Sequence, residues 1–324
     1  MMRFQKLFFT SVLSTVFFIS CSKDDDNKVE VEPPRDAAEQ SLADDETLVS
    51  FLETHFYNEE DFENPGPNFN YIAKFDTIAG DNQNKTPLIE SDKLTSKTIT
   101  INEVDYKVYI LTIREGVGEQ PTFADSAYVR YEGSLTGGKV FDSNTIIPAW
   151  FDFEGYVTRN TQGQLVKAGG TVPGFPAGIT EFKEGSGYQV NPDNTISWNN
   201  DFGIGAVFFP SGLGYFNSPT ASIPAYSPLI FSFNLLRTVE ADHDGDGIPS
   251  ISEDIDDNGD LFNDDTDKDG IPNHSDLDDD GDGMPTKDEI TVGEDGVIIF
   301  YDNNNNDIPA HLDPDEFKNV NAEE

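Results

Sequence analysis

Residues 128–143, Tyr128-Val129-Arg130-Tyr131-Glu132-Gly133-Ser134-Leu135-Thr136-Gly137-Gly138-Lys139-Val140-Phe141-Asp142-Ser143, read as a β-strand, a glycine turn and a return into Phe-Asp-Ser. The stretch around them, 127–239, holds many short β-like runs broken by Gly, Pro and Asn. Strand candidates are 127–131, 150–153, 205–209 and 229–236. The last, LIFSFNLL, is apolar enough for a central strand buried on at least one face. On the N-terminal side, 98–101 and 106–111 alternate like strands. Before them, Leu42, Leu48, Phe51, Leu52 and Phe56 recur at helical spacing, and the segment from Asn64-Pro65-Gly66-Pro67 to about Ser96 reads as loop with short strands.

The 324 residues suffice for a sizeable core and two modest domains. Only 36% are hydrophobic, with 27 Gly and 19 Pro, which favours β and loop over a helical bundle. Sixty-one acids against 20 bases give a net charge of -41, a field that repels phosphate backbones and argues against a nucleic-acid partner. Roughly half of the acids follow Glu240, where composition turns abruptly to Asp, Gly and Asn.

Cys21 is the sole cysteine, so no intramolecular disulfide can form. Arg3 and Lys6 precede an apolar run over 7–20, too short to span a bilayer as a mature helix. It ends at Phe18-Ile19-Ser20-Cys21, which resembles a bacterial lipobox, and the following Ser22-Lys23-Asp24-Asp25-Asp26 resembles the export tag of surface-exposed lipoproteins. The expectation is a signal peptide over 1–20, lipidation of Cys21 and an outer-membrane lipoprotein facing the periplasm or the cell surface. Residues 21–37 are an acidic tether with too few apolar residues to fold.

Four ordered motifs resemble FKBP-type peptidyl-prolyl cis-trans isomerases. The first is the 128–143 stretch. The second is Val172-Pro173-Gly174-Phe175 with Ala177-Gly178-Ile179, similar to the start of the helix that crosses the sheet. The third is Phe209-Pro210-Ser211-Gly212-Leu213-Gly214-Tyr215, and the fourth is Ile223-Pro224 leading into 229–236. Together they span about a third of the chain. The resemblance implies an α+β fold with an antiparallel sheet wrapped on a short helix over 116–240. Residues 38–115 are expected to add a helix and strands packing on it; the sequence leaves open whether they form an extra layer or a separate domain. The resemblance also implies a cofactor-free isomerase acting on Pro-containing exported polypeptides. Tyr131, Phe141, Phe151, Val172, Phe175, Tyr215, Ile223 and Phe231 would line its pocket, with Phe175 as floor. Asp142 and the Tyr215 hydroxyl would be the polar contacts, and the Ile223 N–H would hold a substrate carbonyl.

Three departures stand out. The floor is Phe175 where the family commonly has Trp, and Phe216 follows Tyr215 where glycine is common, in a shortened flap over 216–222. A hairpin over 185–201 is inserted between helix and pocket strand. The alternative is a catalytically weak module that only grips proline segments.

The tail, 241–324, carries a register rather than diffuse charge. Calcium takes many oxygen ligands, and a short loop supplies them from positions 1, 3, 5, 7 and 12 around a glycine at 6. Asp242, Asp244, Asp246 and Glu253 fit; so do Asp265, Asp267, Asp269 and Asp276, and again Asp278, Asp280, Asp282 and Glu289. Asp302, Asn304, Asn306 and Asp313 form a degraded copy with Asp307 in the glycine's place, and Asp256, Asn258 and Asp260 suggest an intermediate site sharing Asp267. The pattern resembles thrombospondin type 3 repeats, implying structural calcium in a segment with almost no core of its own. The histidines are scattered, and no nucleophile elbow, phosphate loop or dinucleotide fingerprint is present.

Overall fold

The computed structural model describes residues 33–321. The expected signal peptide, Cys21 and most of the tether lie outside the described residues. Residues from Arg35 onward form one compact unit. No helix among the described residues is long and apolar enough to cross a membrane.

The core is a six-stranded antiparallel sheet. Its strands are β1 (Leu94–Ile101), β2 (Val104–Arg114), β3 (Ser126–Leu135), β4 (Val140–Asp152), β9 (Gly203–Phe209) and β10 (Leu229–Val239), in the order β1-β2-β9-β10-β3-β4. Two hairpins stand off it: β5 (Tyr156–Arg159) with β6 (Leu165–Ala168), and β7 (Tyr188–Val190) with β8 (Ile196–Trp198). The second is the expected 185–201 insertion. The first was not anticipated.

Helices cover both faces. On the inner face lies α2 (Gly174–Ile179), held close because Gly174 and Gly178 lack side chains. A Cβ at Gly174 would stand 2.1 Å from the Phe209 ring, and one at Gly178 would stand 2.3 Å from Val207. On the outer face lies α1 (Ala37–Thr54), whose Asp36 cap accepts from the Glu39 N–H at 3.0 Å. Leu48, Phe51 and Leu52 pack there on Tyr109, Leu111, Ala206, Phe208 and Ile230. Residues 38–115 are therefore not a separate domain: they supply two sheet strands and the outer layer. That second cover explains why 229–236 is buried on both faces, with the Ser232 hydroxyl and the Asn234 amide nitrogen donating to the Ala73 and Tyr71 carbonyls at 2.8 and 2.6 Å.

Two details of the helical reading are corrected. Leu42 is exposed, and Phe56 lies past the helix in a short strand, His55–Tyr57, paired with Phe75–Thr77. A single buried stripe on Leu48, Phe51 and Leu52 is enough to fix α1.

Candidate functional site

The sheet and α2 bring all nine expected pocket residues to one hollow of about 640 Å³. β3 supplies Tyr131, β4 supplies Phe141, Asp142 and Phe151, and β10 supplies Phe231. Val172 and Phe175 come from the entry to α2, and Tyr215 and Ile223 from the loop after β9. Phe175 is the floor, 2% exposed, with its ring centroid 5.2 Å from both Phe151 and Phe231. Phe141 meets Phe231 edge-on at 5.4 Å, and Tyr131 meets Phe151 edge-on at 4.9 Å. Gly133 makes room for this wall, since a Cβ there would sit 2.6 Å from the Phe141 ring. The larger hollow between 56–61 and 82–92 is lined mainly by charged and amide side chains and has no comparable aromatic floor.

Polar groups sit at the cup's edge. The Tyr131 hydroxyl donates to Asp142 at 2.7 Å. Burial, then this carboxylate, pushes the phenol above its ordinary pKa, so it stays a donor. The half-exposed Tyr215 stands at the rim. The expectation for Ile223 is modified: its N–H already donates to Thr220 Oγ1 at 3.0 Å, while the Thr220 N–H donates to the Ile223 carbonyl at 2.9 Å. The short flap thus closes on itself and occupies the donor intended for substrate.

Phe216 takes φ +43° and Tyr226 φ +57°, left-handed backbone that side chains resist. This accounts for glycine being common after the pocket tyrosine in the family the chain resembles. Here the strain is held by Tyr226, whose N–H donates to the Phe216 carbonyl at 2.6 Å and whose ring meets Phe216 at 5.2 Å. Arg35 in turn lies 4.3 Å over the Tyr226 ring. A second brace comes from α1. Asp44, 2% exposed, accepts from the Ser211 N–H at 2.8 Å and from its hydroxyl at 2.6 Å. Neither brace has a signal in the sequence, because its partners are far apart along the chain.

The acidic tail folds into loops with one backbone plan. Loops beginning at Asp242, Asp254, Asp265, Asp278 and Asp302 all have positive φ at their fourth and sixth residues, as at Gly245 and Gly247 or Lys268 and Gly270. The first carboxylate closes each turn: Asp242, for example, accepts from the Gly245 and Gly247 N–H groups at 2.7 and 3.2 Å. The intermediate copy therefore starts at Asp254, two residues before the expected register, and gathers Asp254, Asp256 and Asp264 rather than Asp260 and Asp267.

Carboxylates also converge at Asp265, Asp267 and Asp269, at Asp278, Asp280 and Asp282, and at Asp244, Asp246, Glu253 and Asp279. Asp242, Asp276 and Glu289 stand outside these groups. In the Asp302 loop the Asn304 and Asn306 amides donate to Asp313, each at 2.7 Å. Buried oxygens on Asp244, Asp246, Glu253, Asp278, Asp279, Asp280, Asp282 and Glu289 have no hydrogen-bond partner. Burial pushes Glu253 up to about 11, Asp279 to about 9, and Asp244 and Glu289 to about 8. An all-oxygen donor set whose ionised form lacks partners fits a hard divalent cation.

The tail rests on the body at the end of β4 and at the β5–β6 hairpin. His243 meets Asp152 at 3.2 Å, the Val157 N–H donates to Ser275 at 3.0 Å, and the Lys167 ammonium lies 3.6 Å over Phe262. The 156–168 run does contain β-like residues around Gly163, the signal that could have found this hairpin.

A 127-residue stretch is 30% identical to a probable FKBP-type peptidyl-prolyl cis-trans isomerase, FkpA, of Neisseria meningitidis serogroup B. The match takes in 38% of this chain and 45% of that protein, so the chain spans less than half of the relative's length. Part of the chain is thus homologous to an FKBP-type isomerase. Among solved structures, a peptidyl-prolyl isomerase of Pseudomonas syringae pv. tomato is 16% identical over 46% of this chain and 83% of that one, with a TM-score of 0.31. FkpA of Escherichia coli is 18% identical over 62% of this chain and 63% of that one, also at 0.31. Residues 243–314 match the family described as BamM C-terminal. The resemblance to thrombospondin type 3 repeats finds no support among these matches.

Proposed function

We propose that the chain is a peptidyl-prolyl cis-trans isomerase acting on X-Pro bonds of exported polypeptides, anchored through a lipid on Cys21 and carrying a calcium-ordered tail. The observation that carries the reading is the ring-lined cup over Phe175, with the Tyr131–Asp142 pair at its edge. Rotation about a peptide C–N bond faces ~18–20 kcal/mol because resonance is lost in the twisted state. Uncatalysed X-Pro exchange takes tens of seconds. A catalyst here needs neither nucleophile nor general acid. Phe175, Phe151 and Phe231 seat the proline ring and exclude the water that favours the planar amide. The Tyr215 hydroxyl can donate to the turning carbonyl, while Asp142 holds the Tyr131 hydroxyl in place at the edge. Each ~1.4 kcal/mol of preference for the twisted over the planar bond gives a factor of ten.

Asp265, Asp267 and Asp269, Asp278, Asp280, Asp282 and Glu289, and the group around Asp244 would hold calcium. The ion would neutralise the carboxylates and order the loops. It takes no part in the isomerisation.

A protease-coupled proline-peptide assay tests the enzyme reading. Wild type accelerates the slow phase, while Tyr215→Phe and Asp142→Ala lose most of the gain. No acceleration by folded wild type defeats it. Binding of a Pro-peptide without acceleration favours the gripping module, a reading supported by the Thr220 cap on Ile223 and the missing indole at Phe175. Loss of fatty-acid labelling in Cys21→Ala tests the anchor; undiminished labelling rejects it.

A further inference from the structure

We propose that Asp244, Asp246, Glu253 and Asp279 jointly hold one divalent cation, so that a single ion staples the Asp242 loop to the Asp278 loop. This inference rests on the reading of the tail as a calcium binder and adds to its first site a ligand, Asp279, which the repeat spacing does not contain. One oxygen from each of the four carboxylates lies within 4.8 Å of the others. Asp246, Glu253 and Asp279 are 3%, 4% and 2% exposed. Both oxygens of Glu253, both of Asp279 and one each of Asp244 and Asp246 are buried without a hydrogen-bond partner.

Removing a carboxylate from water without compensation is strongly unfavourable. Here two such groups from different loops face each other. None of the four forms an ion pair with Lys or Arg among the described residues. His243, the nearby imidazole, is already engaged by Ser250 and Asp152. The donor set is therefore all oxygen, the chemistry of calcium rather than of zinc or copper.

Asp279 occupies the second place in its loop, between Asp278 and Asp280, which turn to the neighbouring Asp278–Asp280–Asp282 cluster. Three consecutive aspartates thus serve two sites. The backbone fixes this alternation: the Asp279 N–H donates to Thr286 Oγ1 at 3.2 Å, and the Thr286 N–H donates to the Leu277 carbonyl at 2.9 Å.

The test is calorimetric titration of chelator-stripped full chain with calcium chloride, counting ions in wild type, Asp279→Asn, Glu253→Gln, the double variant, and Asp267→Asn as a separate-site control. The proposal expects each of the first two variants to lose the same ion, or to weaken it at least tenfold. The double variant should lose no more than either single one, and Asp267→Asn should lose a different ion. An unchanged isotherm for Asp279→Asn, or additive loss of two ions in the double variant, overturns the shared site while leaving the calcium reading intact. No calcium uptake by folded wild type overturns both.

Discussion

Replacing Asp44 by Ala separates a brace from a bystander. The carboxylate lies on the outer helix, yet it accepts from the Gln40 amide at 2.7 Å and from the Ser211 N–H and hydroxyl at 2.8 and 2.6 Å. Ser211 is fully buried and begins the turn that leads to Tyr215. Truncation leaves two donors on Ser211 unpaired, at ~1–3 kcal/mol for each buried group. The loss is then about 3 kcal/mol. At roughly 2–4 °C per kcal/mol for a domain of this class, Tm falls by about 6–12 °C. Because the freed turn carries a rim residue, kcat/KM below the melting range should also fall severalfold, with KM rising. Asp44→Asn, which keeps one acceptor, recovers part of both. Thermal melts and the coupled isomerase assay read the two effects. A melt within about 1 °C of wild type refutes the brace, and full activity in a destabilised variant refutes its link to the pocket.

Thr220→Val uncaps the Ile223 N–H, and since a neutral hydrogen bond is worth about 1 kcal/mol, KM for a proline peptide should drop roughly fivefold; an unchanged KM means that this donor does not touch substrate. Phe175→Trp restores an indole floor and should raise kcat/KM, whereas Phe175→Ala should abolish turnover and lower Tm; equal activity in all three would show that the floor does not contact the proline ring. The tail's pH response has a definite sign. Glu253, Asp279 and Glu289 have folded values raised by burial, to about 11, 9 and 8, so without metal their stabilising contribution is complete below pH ~4 and is lost as pH climbs through those values. Calcium should invert the trend, because a bound cation favours the ionised forms. Limited proteolysis of the tail in chelator should therefore quicken from pH 5 to 9, and with calcium it should slow; the same pH trend in both conditions contradicts the assignment.

Much of the pocket was readable because its residues fall in short motifs whose order mirrors the strands that carry them. Tyr131, Phe141 and Asp142 come from one strand–turn–strand unit, and Phe175 is delivered by a helix that two glycines seat against β9. What lay hidden depends on contacts between distant segments. Asp44 reaches Ser211 across 167 positions, and Arg35 covers Tyr226 across 191. The cap on Ile223 was hidden for another reason: Thr220 looks like ordinary flap filler until the turn brings its hydroxyl round. In the tail, alternating aspartates disclosed the loops, but Asp279 sits off the register and joins its site only through tertiary packing. The Asp254 loop was misplaced by two residues because Asp256, Asn258 and Asp260 also alternate.

Exchange spectroscopy by NMR on a short Leu-Pro peptide, with protein at a small fraction of the peptide concentration, probes the ring-lined cup most directly. Cis and trans resonances should interconvert within a second or less, against tens of seconds alone, and the effect should vanish in Tyr215→Phe/Asp142→Ala. Peptide resonances that broaden or shift on the protein while exchange stays slow would contradict catalysis and leave a proline-gripping module.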